Sequence, residues 1–207
     1  KPGRARCEDG ASLRAEAIAA AARLFLQWGY AWASTAMIAE ELGVTKAALY
    51  YHFPDKESLF LAVFDDYLSG VSAELEAVSP LFDDPAGNPQ AAFKALARVF
   101  LARGPDSAAM QRLCFQESPR LSEEGRKILA ERYHLGLVDP LASCLEKARE
   151  AGWVRPQEPG EPPRVWTFMG LLSAFFAPGH PERGSSEPGA VERSAEALAR
   201  LLLSGLG

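Results

Sequence analysis

At 207 residues the chain suits one large domain or two small ones and is long enough to bury a substantial core. With 48% apolar and 24% charged residues it has the balance of a water-soluble globular protein rather than of a membrane or disordered one. A net charge of −5, and seven acidic against seven basic groups in residues 1–60, exclude a globally basic nucleic-acid binder. Any case for DNA must therefore rest on local arrangement, because screening confines a charge's field to about 8–10 Å.

Leu13, Ala17, Ala21, Leu24 and Trp28 recur at three- and four-residue steps and make one apolar helical stripe, with Ser12 as candidate N-cap and Gly29 as candidate stop. Met37, Ile38 and Leu42 mark a second, shorter helix, capped by Ser34 and ended by Gly43. Thr45 can cap a third, Lys46 to about Phe53, and Pro54 forces a break because the residue before a proline is pushed out of the helical region. A fourth starts at Asp55 or Lys56 and runs on Leu59, Phe60, Val63, Phe64, Tyr67, Leu68 and Val71. Beyond the turn-rich SPLFDDPAGNP, Phe93, Leu96, Ala97 and Phe100 mark the next helix, and Met110, Leu113 and Cys114 the one after. A longer helix opens on Ile128, Leu129, Arg132 and Tyr133 and reaches Gly152, kinked or divided by Pro140. RPQEPGEPP is a loop, and two last helices, 165–176 and 191–203, flank the stretch APGHPERGSSEPG. No strand alternation of useful length and no internal repeat is present, so the fold class is all-α.

Three short helices with tight Gly-containing turns in the first 53 residues suggest a helix-turn-helix domain, whose reader helix enters the major groove. Here the reader is Lys46 to His52. Leu49 and Phe53 share a face and are expected to pack on Ile38, Leu42 and Trp28. Lys46 with Tyr50, and Ala47 with Tyr51, then form i,i+4 pairs on the remaining surface. A lysine supplies a mobile point charge, tyrosine hydroxyls donate to phosphate from rigid arms, and helix N-termini offer free amides. Small Ala47 lets the backbone approach a groove, and Lys56 adds a charge at the start of the fourth helix. Lys1, Arg4 and Arg6 could lie in a minor groove, but a disordered terminus is the favoured reading.

The ordered set Gly29-Tyr30, Ser34-Thr35, Ile38-Ala39, Leu42-Gly43-Val44-Thr45-Lys46, Leu49-Tyr50-Tyr51-His52-Phe53 and Lys56-Glu57-Ser58-Leu59-Phe60 resembles the TetR family of bacterial transcriptional regulators. The resemblance covers residues 12–60 and implies a homodimeric repressor with an N-terminal DNA-binding domain and a C-terminal ligand-binding domain. The expected division is 1–56 for the arm and helix-turn-helix, and 57–207 for a helical effector-binding and dimerisation domain. By position, Thr35, Thr45, Lys46, Ala47, Tyr50, Tyr51, His52 and Lys56 match the family's DNA contacts. Ala47 stands where glycine is most frequent. Ala33 stands where threonine is common, so one phosphate contact is either missing or passed to Ser34. Lys46 and Tyr51 are expected on base edges, with Tyr50, His52, Thr45 and Lys56 on the DNA backbone.

The helix 165–176 is apolar almost all round, and the last helix carries Val191, Ala195, Leu198 and Leu202 on one stripe. Two such helices from each of two protomers would make a four-helix bundle, with Val165, Leu172, Phe176, Val191, Ala195, Leu198 and Leu202 at the dimer interface. Two-fold symmetry would present the readers about 34–36 Å apart, or a multiple of it, to a pseudo-palindromic double-stranded DNA operator. Aromatic surfaces between helices also make pockets. Under the family architecture Met110, Gln111, Cys114, Tyr133, His134, Leu137, Trp166 and Met169 lie on segments that line one, with Thr167 a further polar handle. The effector is of unknown identity, with an apolar or aromatic molecule preferred. Its action would be a population shift toward a conformer with misplaced readers, carried by the fourth helix.

Cys7, Cys114 and Cys144 are odd in number and widely spaced, and His52, His134 and His180 are scattered, so neither metal nor cofactor is expected. No signal peptide is apparent, and the longest apolar run falls short of the roughly 20 residues of a bilayer span, so a cytoplasmic protein with no membrane partner is expected. GxSxG, HExxH and phosphate-cradling glycine loops are all missing from the sequence, which argues against an enzyme. The competing reading is a DNA-binding regulator whose large domain binds a protein partner.

Overall fold

A computed structural model describes residues 10–175 and 189–206. Lys1, Arg4, Arg6, Cys7, Phe176 and His180 lie outside the described residues. Among those described there is no strand. The helices are α1 (Gly10–Trp32), α2 (Thr35–Glu41), α3 (Lys46–His52), α4 (Lys56–Val78), α5 (Pro89–Leu101), α6 (Gly104–Glu117), α7 (Glu123–Tyr133), α8 (Asp139–Glu150), α9 (Arg164–Phe175) and α10 (Ala190–Leu206). They pack as two compact units. One holds the residues up to Tyr67 together with Ala109–Glu131; the other holds Leu68–Ala108 and the residues from Arg132 on. The division expected at residue 56 follows chain position, whereas packing draws the later segment 109–131 into the first unit.

The core of the first unit explains that grouping. Ala17, Ala21 and Phe25 of α1 meet Ile38 of α2, Leu49 at α3, and Phe60 and Phe64 of α4, and Met110, Leu113, Cys114, Leu121 and Leu129 complete the cluster. Each fully buried Leu, Met or Phe side chain contributes about 1.5–3 kcal/mol, so this later segment is a substantial part of the unit's stability. α1 is already helical at Gly10, so Ser12 is not its cap; its hydroxyl donates instead to Glu16, 2.6 Å away. Trp28 is also not core, being 52% exposed. Gly29 breaks the helix there with φ 75° and ψ 161°, a conformation essentially reserved for glycine. The chain turns inward one residue later, and Tyr30 fills the space, its ring 5.7 Å from that of Phe25 and 4.6 Å from that of Phe60.

In the second unit α10 lies along α5. α5 buries Phe93, Leu96, Ala97 and Phe100, and α10 buries Ala195, Leu198, Ala199 and Leu202. Lys94 binds Glu192 at 3.2 Å and Glu196 at 3.4 Å along the edge of this pair. Phe168 of α9 packs on Phe100 with ring centroids 5.7 Å apart. Of the residues expected at a dimer interface, Val165, Leu172, Ala195, Leu198 and Leu202 are at most 6% exposed within the single chain, and Val191 is half-buried. The apolar stripes of α9 and α10 are covered within the chain itself.

Pro140 divides the long helix as expected, by a particular device. Proline has no N–H to offer the carbonyl four residues back, at Gly136, and its ring crowds that carbonyl. The backbone widens into a π-helical turn over His134–Val138 before α8 begins. A Cβ on Gly136 would lie 2.9 Å from Leu68 Cβ, so glycine permits the close approach of α4 there. No helix among the described residues is long and apolar enough to cross a membrane.

Candidate nucleic-acid interface

Local chemistry sets the two short helices. The Ser34 hydroxyl accepts from Met37 N–H at 3.2 Å and caps α2; Thr45 accepts from Ala48 N–H at 3.2 Å and caps α3. Each hydroxyl keeps its own hydrogen for donation outward. Between the helices Gly43 takes φ 66°, the left-handed turn that glycine favours. Leu49 and Phe53, 1% and 3% exposed, join Ile38 in the core, while Leu42 is partly buried against it. Arg14 lies over the Phe53 ring, 5.3 Å from its centroid.

With that face buried, α3 turns Lys46, Ala47, Tyr50 and Tyr51 outward. Thr35 Oγ1 and the Tyr50 hydroxyl are 3.1 Å apart, so the start of α2 and the middle of α3 are tied on their exposed side. Tyr51 is 85% exposed and meets only the edge of the half-buried His52 among the ring contacts described, at 5.2 Å. Glu41, an acidic neighbour that would repel a phosphate, is paired with Arg23 at 2.6 Å.

Lys56 is placed differently from the others. Its Nζ lies 4.4 Å from the centre of the Tyr30 ring and 3.4 Å from the Ala31 carbonyl oxygen. Burial lowers its pKa, while Glu117 acts in the opposite direction. The Tyr30 phenol is pushed up to about 12 by burial first and then by Glu57, Asp55 and Glu117. Sequence reasoning placed Tyr30 in the motif and Asp55 at the start of α4 but gave neither a role at the site. Asp55 accepts from Ser58 N–H at 2.6 Å, and Ser58 Oγ accepts from Asp55 N–H at 3.2 Å, a reciprocal cap of α4. The Asp-x-x-Ser spacing could have disclosed it. Trp32, two residues ahead of the α2 cap and 82% exposed, was missed as well.

The effector candidates divide between the units. Met110 and Cys114 sit in the core of the first, where burial pushes the Cys114 thiol up to about 12, and Gln111 donates to the Tyr67 hydroxyl at 3.1 Å. Tyr133, His134, Leu137, Trp166 and Met169 belong to the second unit. Tyr133 and Leu137 are buried there, Thr167 and Met169 half-buried, and Trp166 is 42% exposed. His134 is exposed, with Nδ1 3.9 Å from the Asp139 carboxylate. A groove of about 330 Å³ between α4 and α5, lined by residues such as Val78, Ala95, Arg98 and Val99, includes none of these eight.

Comparison with known proteins bears on the same segment. The family described as "Bacterial regulatory proteins, tetR family" matches residues 17–63. The A-factor receptor protein of Streptomyces griseus is 36% identical over 138 residues, covering 67% of this chain and 45% of that protein. The chain spans less than two thirds of the length of each curated relative it matches. The crystal structure of the TetR family transcriptional regulator PfmR from Thermus thermophilus has a TM-score of 0.66 at 25% identity, over 92% of this chain and 98% of that one. AibR, solved in complex with isovaleryl coenzyme A and operator DNA, shares the fold with a TM-score of 0.69 at 24% identity, over 92% and 97% of the two chains.

Proposed function

The chain belongs to the tetR family of bacterial regulatory proteins, and on that premise we propose that it is a DNA-binding transcriptional regulator, a homodimeric repressor that a small apolar or aromatic effector releases from a pseudo-palindromic operator. The observation that carries the reading is the two-sided α3, with Leu49 and Phe53 buried while Lys46, Tyr50 and Tyr51 face outward. Lys46 and Tyr51 read base edges. Ser34, Thr45 and His52 donate to phosphates, as does whichever hydroxyl of the Thr35–Tyr50 pair is not the donor within it, and Ala47 lets the helix approach. Lys56, already set against Tyr30 and Ala31, has one N–H left for a phosphate.

The dimer uses what is left exposed on α9 and α10, such as Leu201, 51% exposed. That AibR was captured with both an acyl coenzyme A and operator DNA supports effector control in this fold. Tyr133, His134, Leu137, Trp166 and Met169 are the residues we assign to the effector. An effector can weaken operator binding only by its differential affinity for the two conformers.

The test is fluorescence anisotropy of the full chain against DNA from upstream of its own gene and against a scrambled duplex, across a salt series. Preferential binding that falls steeply with salt is expected. If Lys46 also touches phosphate, Lys46→Ala lowers the slope by about one; an unchanged slope leaves it on bases alone. Failure of a folded, dimeric chain to bind any duplex would overturn the reading.

A further inference from the structure

The turn between α6 and α7 lies more than sixty residues beyond the reader helix in sequence, yet one carboxylate fastens it to the first turn of α4. Glu57 Oε2 accepts from Ser122 N–H at 2.8 Å, and Oε1 accepts from the Ser122 hydroxyl at 2.5 Å. The same hydroxyl oxygen accepts from Gly125 N–H at 2.9 Å, so Ser122 caps α7 while it holds Glu57. A Cβ on Gly125 would collide with Glu57 Oε1, so any larger residue at 125 displaces that carboxylate.

Two further contacts connect this turn to the operator-facing surface. Lys56, next to Glu57, holds the Ala31 carbonyl and the Tyr30 ring in the segment that leads into α2. At the near end of the same turn Glu117, 13% exposed and paired with Arg120 at 2.8 Å, comes within 3.4 Å of the place a Cβ on Gly29 would occupy. The stretch 117–125 thus bonds to the start of α4 and lies beside the α1 kink.

We propose that Glu57, Ser122 and Gly125 form a latch by which the α6–α7 turn positions the reader: they fix the first turn of α4 and, through Lys56, the segment entering α2, in the geometry that meets the operator. The latch rests on the DNA-binding reading above. Exposed hydrogen bonds of this kind add little to global stability. Two donors converging on one carboxylate, with a helix cap behind them, nonetheless fix an orientation, and operator binding is sensitive to orientation.

The experiment measures operator affinity and its salt dependence by anisotropy for the full chain carrying Ser122→Ala, Glu57→Ala, Gly125→Ala or Glu57→Gln. The probe is the duplex that the wild-type chain binds specifically, and urea midpoints monitor folding. Ser122→Ala and Glu57→Ala are expected to weaken operator binding about five- to tenfold, the scale of a modest coupling between sites, with the salt slope unchanged because no phosphate contact is lost. Glu57→Gln, whose amide oxygen accepts from Ser122 N–H and whose amide nitrogen donates to Ser122 Oγ, should stay within about twofold. Gly125→Ala should behave like Glu57→Ala; should it fail to fold, the other variants decide. Wild-type affinity in folded Ser122→Ala and Glu57→Ala overturns the latch, as does a loss accompanied by a reduced salt slope, which would make these residues DNA contacts. A wild-type chain that binds no duplex overturns the regulator reading itself, a result distinct from either.

Discussion

Tyr50 and Tyr51 are adjacent and chemically identical, yet their surroundings assign them different work. The Tyr50 hydroxyl is engaged with Thr35, whereas Tyr51 stands 85% exposed. Tyr51→Ala should therefore leave the urea midpoint nearly unchanged, within about 0.5 kcal/mol, while weakening operator binding at least about tenfold. Equal operator binding by the variant would remove Tyr51 from the contact surface. Two weak acids shifted by burial make a second prediction. Cys114 rises from 9.0 to about 12 through burial, and Tyr30 from 10.0 to about 12 through burial and the carboxylates around it. Both are neutral when protonated, so between their unfolded and folded values the native state holds more protons than the unfolded one. Their contribution to stability is complete below pH 9 and is lost as the pH rises from about 9 toward 12. Urea midpoints from pH 8 to 11 should fall, and Tyr30→Phe should flatten the upper part of that decline. The same burial predicts that Cys114 reacts with a thiol reagent at pH 8 only after unfolding.

At the scale of elements, the α1 kink and the α10 stripe are the places where one substitution is most informative. Gly29→Ala forces an L-residue into φ 75°, ψ 161° and should destabilise the reading unit by about 1–3 kcal/mol, seen as a lower thermal midpoint. An unchanged midpoint would mean that the kink relaxes freely. Leu198, fully buried, was expected at a dimer interface from its apolar stripe and the family resemblance. Its burial against its own chain predicts that Leu198→Ala destabilises the fold by about 2–5 kcal/mol. Dissociation of the dimer at unchanged stability, measured by sedimentation equilibrium and urea titration together, would instead return this residue to the interface. The short helices of the reader were legible in sequence because their limits are local. Ser34 and Thr45 cap them, Gly43 supplies a left-handed turn, and Pro54 stops the second of them. The π turn before Pro140 was only half legible: proline shows that the helix must yield, but not how.

Across the whole molecule, a chain of net charge −5 is expected to grip DNA with one small face, so its affinity should rest on few phosphate contacts. The amino-acid sequence by itself determined the order of the helices, the caps and breaks of α2 and α3, and the two-sided pattern of α3. Each depends on residues within a few positions of one another, through hydrogen bonds, backbone preferences and periodicity. Only the tertiary structure decided what each apolar or charged face meets. It put Trp28 outside and packed Tyr30, partly buried, against the core, set Lys56 against Tyr30, and buried Ala195, Leu198 and Leu202 within the chain itself. It also drew 109–131 into the reading unit, where Glu57 meets Ser122. The reason is physical: a hydrophobic stripe specifies that something must cover it, and a carboxylate that something must donate to it. Neither carries the address of its partner, which is set when many such demands are satisfied at once in one packed core.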